Sequence, residues 1–205
     1  GASNVRSNSS VIHAGIYYKK NSLKSKLCMR GKSLLKNFCK ENNIEINNCG
    51  KIITAKTIQD LPKLEKCFSR AQENGLKDLK YLNKKQLEKI EPNLSCYAGL
   101  FSPSSGVLDT KSYLKKLIKI IKTKGVSIFF SFDIKIEKFT KNYWLITNIK
   151  NNFKITSKMI INSSGKNAPQ ISKRVLNLKV NPLSNPVLGY YLRYEKKNFL
   201  NKIVY

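Results

Sequence analysis

The chain has 205 residues, 39 of them lysine or arginine against 12 aspartates and glutamates, for a formal net charge of +27. Its 41% hydrophobic content lies above the range of disordered chains, no apolar run approaches a membrane span, and five cysteines without a Cys-x-x-Cys pair offer neither a disulfide framework nor a zinc site. The charge comes from 34 scattered lysines and only 5 arginines, and arginine is the residue suited to bidentate base and phosphate recognition, so nucleic acid is not the expected partner.

In chain order, the first twenty residues read as loop and short strand. From Ser22 to Asn42, Leu23, Leu27, Leu34, Leu35 and Phe38 recur at helical spacing with lysines opposite. Ile44 and Ile46 alternate with polar residues and Lys51-Ile52-Ile53-Thr54-Ala55 is rich in β formers, so two strands are predicted. A second helix begins near Asp60-Leu61-Pro62, where proline fits a first turn. It runs through Leu64, Phe68 and Ala71, and stops at Asn74-Gly75. Asn83 with Gln86 spells a capping box for a short helix ending before Pro92. Ser102 to Ser105 is a turn-rich hinge. Asp109 or Thr110 then caps a helix with the stripe Leu114, Leu117, Ile118 and Ile121, and Lys111, Lys115, Lys116, Lys119 and Lys122 form its solvated face. After Gly125 strands follow at Val126–Phe132, Ile134–Ile136, Tyr143–Thr147 and Phe153–Ile155, with an Asn151-Asn152 turn between the last two. Met159-Ile160-Ile161-Asn162 runs into Ser163-Ser164-Gly165, and a last strand covers Val187 to Tyr194.

The richest segment is Asn8-Ser9-Ser10-Val11-Ile12-His13-Ala14-Gly15-Ile16-Tyr17-Tyr18, which holds the chain's only histidine. On its residues alone, His13 reads as a core histidine on a buried strand. A chemical role is also open to it, because imidazole exchanges protons near neutrality and the small Ala14 and Gly15 let a flat ligand approach the backbone.

This segment resembles the flavin-facing loop of FAD-dependent oxidoreductases of the D-amino-acid oxidase and glycerol-3-phosphate dehydrogenase type, and most of all their L-2-hydroxyglutarate dehydrogenase branch. Further landmarks fall in that family's order: Ser22-Leu23-Lys24 with Leu27-Cys28, Cys49-Gly50-Lys51-Ile52-Ile53, Glu91-Pro92, and Ser102-Pro103-Ser104-Ser105-Gly106-Val107-Leu108-Asp109. The resemblance implies a mixed α/β chain, part of a discontinuous FAD/NAD(P)-binding domain with an inserted substrate-binding cap domain. Residues 1–22 and 101–178 would be cofactor-domain segments, 23–100 the cap, and 179–205 the start of a second substrate segment.

The resemblance also implies roles. His13 would be the base that takes the hydroxyl proton. Asn8, Ser9, Ser10, Val11, Ile12, His13, Ala14 and Gly15 would contact the flavin side of FAD. Ile134 would meet the adenine end through its backbone, and Ser164 and Gly165 would form a small turn against the cofactor. Tyr17, Lys51 and Tyr191 are the candidate substrate residues, and no metal is expected. Where the family strand carries Pro-[Phe/Val]-Arg-Gly-x-Tyr, this chain has Leu188 in the arginine's place, which removes a carboxylate anchor. No Gly-x-Gly-x-x-Gly turn occurs, and the chain begins Gly1-Ala2, so the resemblance is to an internal piece of the family's length that would hold only part of the FAD site.

The expected reaction is oxidation of a small 2-hydroxy acid, L-2-hydroxyglutarate to 2-oxoglutarate, by hydride transfer to flavin, with a quinone or oxygen as final electron acceptor. Oxidation of an amine or of glycerol 3-phosphate, a degenerate non-catalytic fragment, and a basic nucleic-acid-binding protein are the alternatives. The expected location is cytoplasmic, with lysines favouring peripheral contact with an anionic inner membrane.

Overall fold

The computed structural model describes residues 8–138, 140–176, 195 and 199–205. They divide into two compact units, one holding residues 8–124 with 195 and 199–205, the other residues 125–138 and 140–176.

The first unit is built on two sheets. A small one orders β1 (Val11–Ile12), β6 (Gly106–Leu108) and β2 (Ile46–Asn47), with β6 central and antiparallel to both. Gly106 permits that pairing, since a Cβ there would stand 2.5 Å from the Asn47 carbonyl oxygen. α1 (Leu23–Glu41) lies over this sheet and closes a core of Ile12, Cys39, Ile44 and Leu108. Its N-terminus is capped by Ser22, whose hydroxyl accepts from Ser25 N at 3.2 Å. Phe38 meets Tyr113 of α4 (Thr110–Thr123) edge-on at 5.5 Å. Asp109 caps α4 by accepting from the Lys111 and Ser112 amides, each at 3.1 Å.

The second sheet orders β10 (Ile203–Val204), β3 (Lys51–Ala55), β5 (Ala98–Ser102) and β4 (Lys80–Asn83). β3 and β5 pair antiparallel along their full length, while β10 joins β3 in parallel. β3 alternates between two buried faces. Ile53 and Ala55 pack with Leu64 and Ala71 of α2 (Leu61–Glu73), whereas Ile52 packs with Leu82 and Leu87, the latter from α3 (Lys84–Ile90). By the same alternation Lys51 shares the α2 face with Ile53, so a lysine is carried into the core. The Asn83/Gln86 capping box forms as expected, with Gln86 N on Asn83 Oδ1 at 3.0 Å and Asn83 N on Gln86 Oε1 at 2.9 Å.

The second unit is an antiparallel meander of β7 (Ile134–Lys138), β8 (Trp144–Asn148) and β9 (Lys154–Ser157), followed by a 3₁₀ turn at Gly165–Asn167 and α5 (Ala168–Leu176). The strand expected at Val126–Phe132 does not form. Ser131 takes a left-handed φ of +55°, which breaks the extended run and lets Phe129 and Phe132, three residues apart, both turn onto Phe153 at 5.4 and 5.9 Å. In an unbroken strand residues at odd spacing point to opposite faces, so that cluster would be impossible. Met159–Asn162 carries no ladder, and the strand expected at Val187–Tyr194 lies outside the described residues. Strands β4, β5, β6 and β10 were not foreseen from the sequence; three of them are short, and their burial is set by neighbours distant in the chain.

Candidate functional site

β1 ends at Ile12 and hands the chain to a loop carrying His13 to Tyr18. Its approach is rigid. Ser10 sits at a left-handed φ of +58°, its amide donates to Asn8 Oδ1 at 2.7 Å, its carbonyl accepts from Leu108 N at 2.9 Å, and its hydroxyl pairs with Thr110 Oγ1 at 2.8 Å. The Asn8 side-chain oxygen and the polar groups of Ser10 are thus engaged within the chain, and Ser9 beside them is half-buried. Ile12 is buried, and with Val11 and His13 it lines an open-sided cleft of about 800 Å³ bounded also by Cys28, Lys32, Leu34 and Tyr113. This volume is within the range of small-molecule and cofactor sites, and the walls are mostly apolar with a few polar groups.

The loop after His13 is clamped from two helices. Cys28 of α1 donates its thiol to the His13 carbonyl at 3.5 Å. Asn74, at the end of α2, donates its side-chain amide to the carbonyls of Gly15 at 3.3 Å and Tyr18 at 2.8 Å, and its own Oδ1 is left buried without a partner. Ala14 is buried in the main core. Gly15 has a φ of +86°, and a Cβ there would meet Met29 Sδ at 3.0 Å, so its small size serves the close approach of α1.

Lys51 is 1% exposed, and its ammonium lies 4.7 Å from the ring centre of Tyr17 and 5.0 Å from that of Tyr205. Among the described residues no carboxylate pairs with it. Burial pushes its pKa down to about 8, opposed by the thiols of Cys28 and Cys67. Lys24 stands over the Tyr18 ring at 4.9 Å. Burial first, then the charges of Lys51 and Lys24, hold the His13 pKa below its usual value of 6.5. Burial likewise raises the Tyr17 phenol and the Cys28 thiol, in the latter against Lys32, Lys51 and Lys24. Burial and the positive surroundings both disfavour the imidazolium, so the loop favours the neutral form of the imidazole.

The sequence-derived candidates fall into three sets. His13, Tyr17 and Lys51 come together around one loop of the first unit, with Asn8 to Gly15 as its approach. Ile134, Ser164 and Gly165 belong to the second unit. Ile134 opens β7 opposite Asn148, and Ser164 is folded into a turn in which its amide and hydroxyl donate to Asn162 Oδ1 at 3.3 and 2.6 Å. Tyr191 lies outside the described residues. Sequence reasoning missed Asn74, Cys28, Lys24 and Tyr205 as neighbours of the loop. Lys24 and Cys28 could have been found together, since residues four apart share one helix face. Nothing local marks Tyr205.

Residues 1–204 match the DAO family model, described as FAD dependent oxidoreductase. The chain is 30% identical over 200 residues to L-2-hydroxyglutarate dehydrogenase of Escherichia coli K12, covering 97% of this chain and 47% of the relative. It is 37% identical over 145 residues to mitochondrial L-2-hydroxyglutarate dehydrogenase of Arabidopsis thaliana, covering 71% and 28%. Among solved structures it is similar to FAD-bound L-α-glycerophosphate oxidase of Mycoplasma pneumoniae, with a TM-score of 0.74, 25% identity and coverage of 84% and 47%. A TM-score of 0.70 at 15% identity to glycine oxidase of Geobacillus kaustophilus, covering 81% and 46%, speaks for the fold alone. The chain spans about half the length of the E. coli relative and of both solved structures.

Proposed function

Because the chain belongs to the DAO family of FAD dependent oxidoreductases, we propose that its protein oxidises L-2-hydroxyglutarate to 2-oxoglutarate. The observation that carries this reading is His13 at the wall of an apolar cleft, its backbone carbonyl accepting from the Cys28 thiol and its pKa lowered first by burial and then by Lys51 and Lys24. The cleft residues fit the ring end of FAD: apolar walls from Val11 and Leu34 suit a flat aromatic system, and His13 and Lys32 supply polar edges. When bound, FAD supplies the acceptor for the two electrons that leave the substrate carbon.

The unprotonated imidazole nitrogen of His13 takes the proton of the substrate hydroxyl as the carbon becomes a carbonyl. Lys51 and Lys24 make the surroundings positive and draw a dicarboxylate toward the loop. Tyr17 borders the substrate side of the loop, and the family resemblance alone assigns Tyr191 to the substrate and Ile134, Ser164 and Gly165 to the cofactor. Electrons then pass to a quinone or oxygen, and the lysine-rich surface favours peripheral contact with anionic lipid. Among the described residues no helix is long and apolar enough to cross a membrane.

A second reading, oxidation of glycerol 3-phosphate, is favoured by the similarity to the glycerophosphate oxidase. Anaerobic mixing of the FAD-loaded protein with each substrate separates them. L-2-hydroxyglutarate bleaches the flavin absorbance in the first reading. Bleaching by glycerol 3-phosphate alone replaces it with the second, and bleaching by neither overturns both.

A further inference from the structure

The hairpin joining β7 to β8 in the second unit carries a charge pattern that the proposed reaction leaves unused. Lys138 ends β7 directly opposite Trp144, the first residue of β8 and the chain's only tryptophan, and Trp144 is paired in turn with Ser157 of β9. Residues directly opposite share one face of a sheet, so Lys138 and the indole stand side by side. Lys141 lies in the connecting loop and Lys158 follows the end of β9. These three lysines, with Tyr143 and Trp144, surround a cavity of about 500 Å³.

One lysine among 34 is by default a solvated surface charge. These three differ because they converge on a concave wall, with Lys158 Nζ 5.9 Å from the ring centre of Tyr143. No carboxylate lines the cavity, and among the described residues no ion pair occupies any of the three ammoniums. Glu137, next to Lys138, is turned to the opposite face by strand alternation and is paired there with Lys135 at 2.8 Å. The wall itself is held in place. Trp144 is half-buried and also borders the hollow beneath α5 with Ile136, Ile171 and Val175. The loop is closed by Thr140 N donating to the Tyr143 carbonyl at 3.2 Å and Asn142 N donating to Thr140 Oγ1 at 3.3 Å. The second bond uses a lone pair of the Thr140 hydroxyl and leaves its proton to be donated, so the rim adds neutral donors to the three cations.

We propose that this cavity binds the phosphate group of a phosphate ester. Phosphate gathers strong negative charge and several acceptor oxygens at one point, which answers ammoniums arriving from β7, from the loop and from the end of β9. The indole and phenol faces contact the organic part of the ester. An anionic lipid headgroup and a soluble phosphate ester present the same chemistry. The site is independent of the proposed oxidation.

Trp144 is its own reporter, since no other tryptophan contributes to the emission. At constant ionic strength, inorganic phosphate should change its fluorescence saturably while chloride does not. Lys141→Gln combined with Lys158→Gln, both exposed positions, should weaken phosphate binding roughly tenfold or more. Lys135→Gln, on the opposite face, should leave it unaltered. Vesicles of phosphatidylcholine with phosphatidylglycerol decide the source. A blue shift with them, absent with phosphatidylcholine alone and lost in the double variant, assigns a lipid headgroup, and no shift assigns a soluble ester. A phosphate response that chloride reproduces, that never saturates or that persists in the folded double variant overturns the site. If the double variant does not fold, the phosphate-against-chloride comparison in the unaltered chain decides. Neither measurement needs FAD or turnover, so its failure is distinct from failure of the flavin-bleaching experiment.

Discussion

The buried carboxylate of Glu91 accepts the backbone N–H of Asn201 at 2.7 Å, a partner 110 residues further along the chain, and that of Lys202 at 3.0 Å. Glu91 stands at the end of α3, and its grip sets β10 against β3, where Thr54 N donates to the Tyr205 carbonyl at 2.8 Å. One acid thereby delivers the Tyr205 ring onto the Lys51 ammonium. Removing it in Glu91→Ala takes the acceptor from two partly buried backbone donors, at a cost of roughly 3 kcal/mol. Urea unfolding with an unchanged midpoint would contradict this.

Histidine 13 yields a pH prediction with a definite sign. A base must be neutral to act, and burial followed by Lys51 and Lys24 keeps its pKa below 6.5. Activity therefore holds through neutrality and falls only as the pH drops below 6.5, with His13→Ala lowering kcat about 10²- to 10⁴-fold. A kcat/KM profile of the FAD-loaded protein, with circular dichroism confirming an intact fold in the variant, checks both.

Lys51 also shapes stability against pH. Its pKa is about 8 in the folded protein and 10.5 when unfolded, so between those values the unfolded chain holds more protons and folding becomes more favourable as pH rises. The unaltered chain should gain on Lys51→Met by an amount on the order of 3 kcal/mol across that window. Parallel denaturation midpoints of the two proteins from neutral pH upward would show it, and a constant difference would refute it.

Asn74 ties the end of α2 to the loop carrying His13 through two side-chain donors. Asn74→Ala removes those bonds but also its orphaned buried oxygen, so the net loss of stability should be small, about 1 kcal/mol. The local effect should be larger: amide hydrogen exchange across residues 15–18 should quicken while that of β3 and β5 stays slow. Uniform exchange changes would show that Asn74 does not hold the loop.

The helix caps at Asn83 and Asp109 were legible because a cap is a contract between residues two or three apart. The loop from Asn8 to Tyr18 was legible for a different reason: it concentrates a lone titratable group among small and aromatic neighbours. Lys51 was visible only as one lysine among 34, with nothing nearby in the sequence to mark it as buried. The segment Val126–Phe132 misled because its composition suits a strand, yet a strand also needs a ladder partner, and here Ser131 turns the phenylalanines onto Phe153.

Short-range chemistry in this chain is written in adjacent residues: where helices start and which side chain can carry a proton. The charge state of that side chain is not. It depends on burial by elements packed around the loop, then on a lysine 38 positions away and on Lys24. Burial and Coulomb forces act through space, and folding alone decides which distant groups share it.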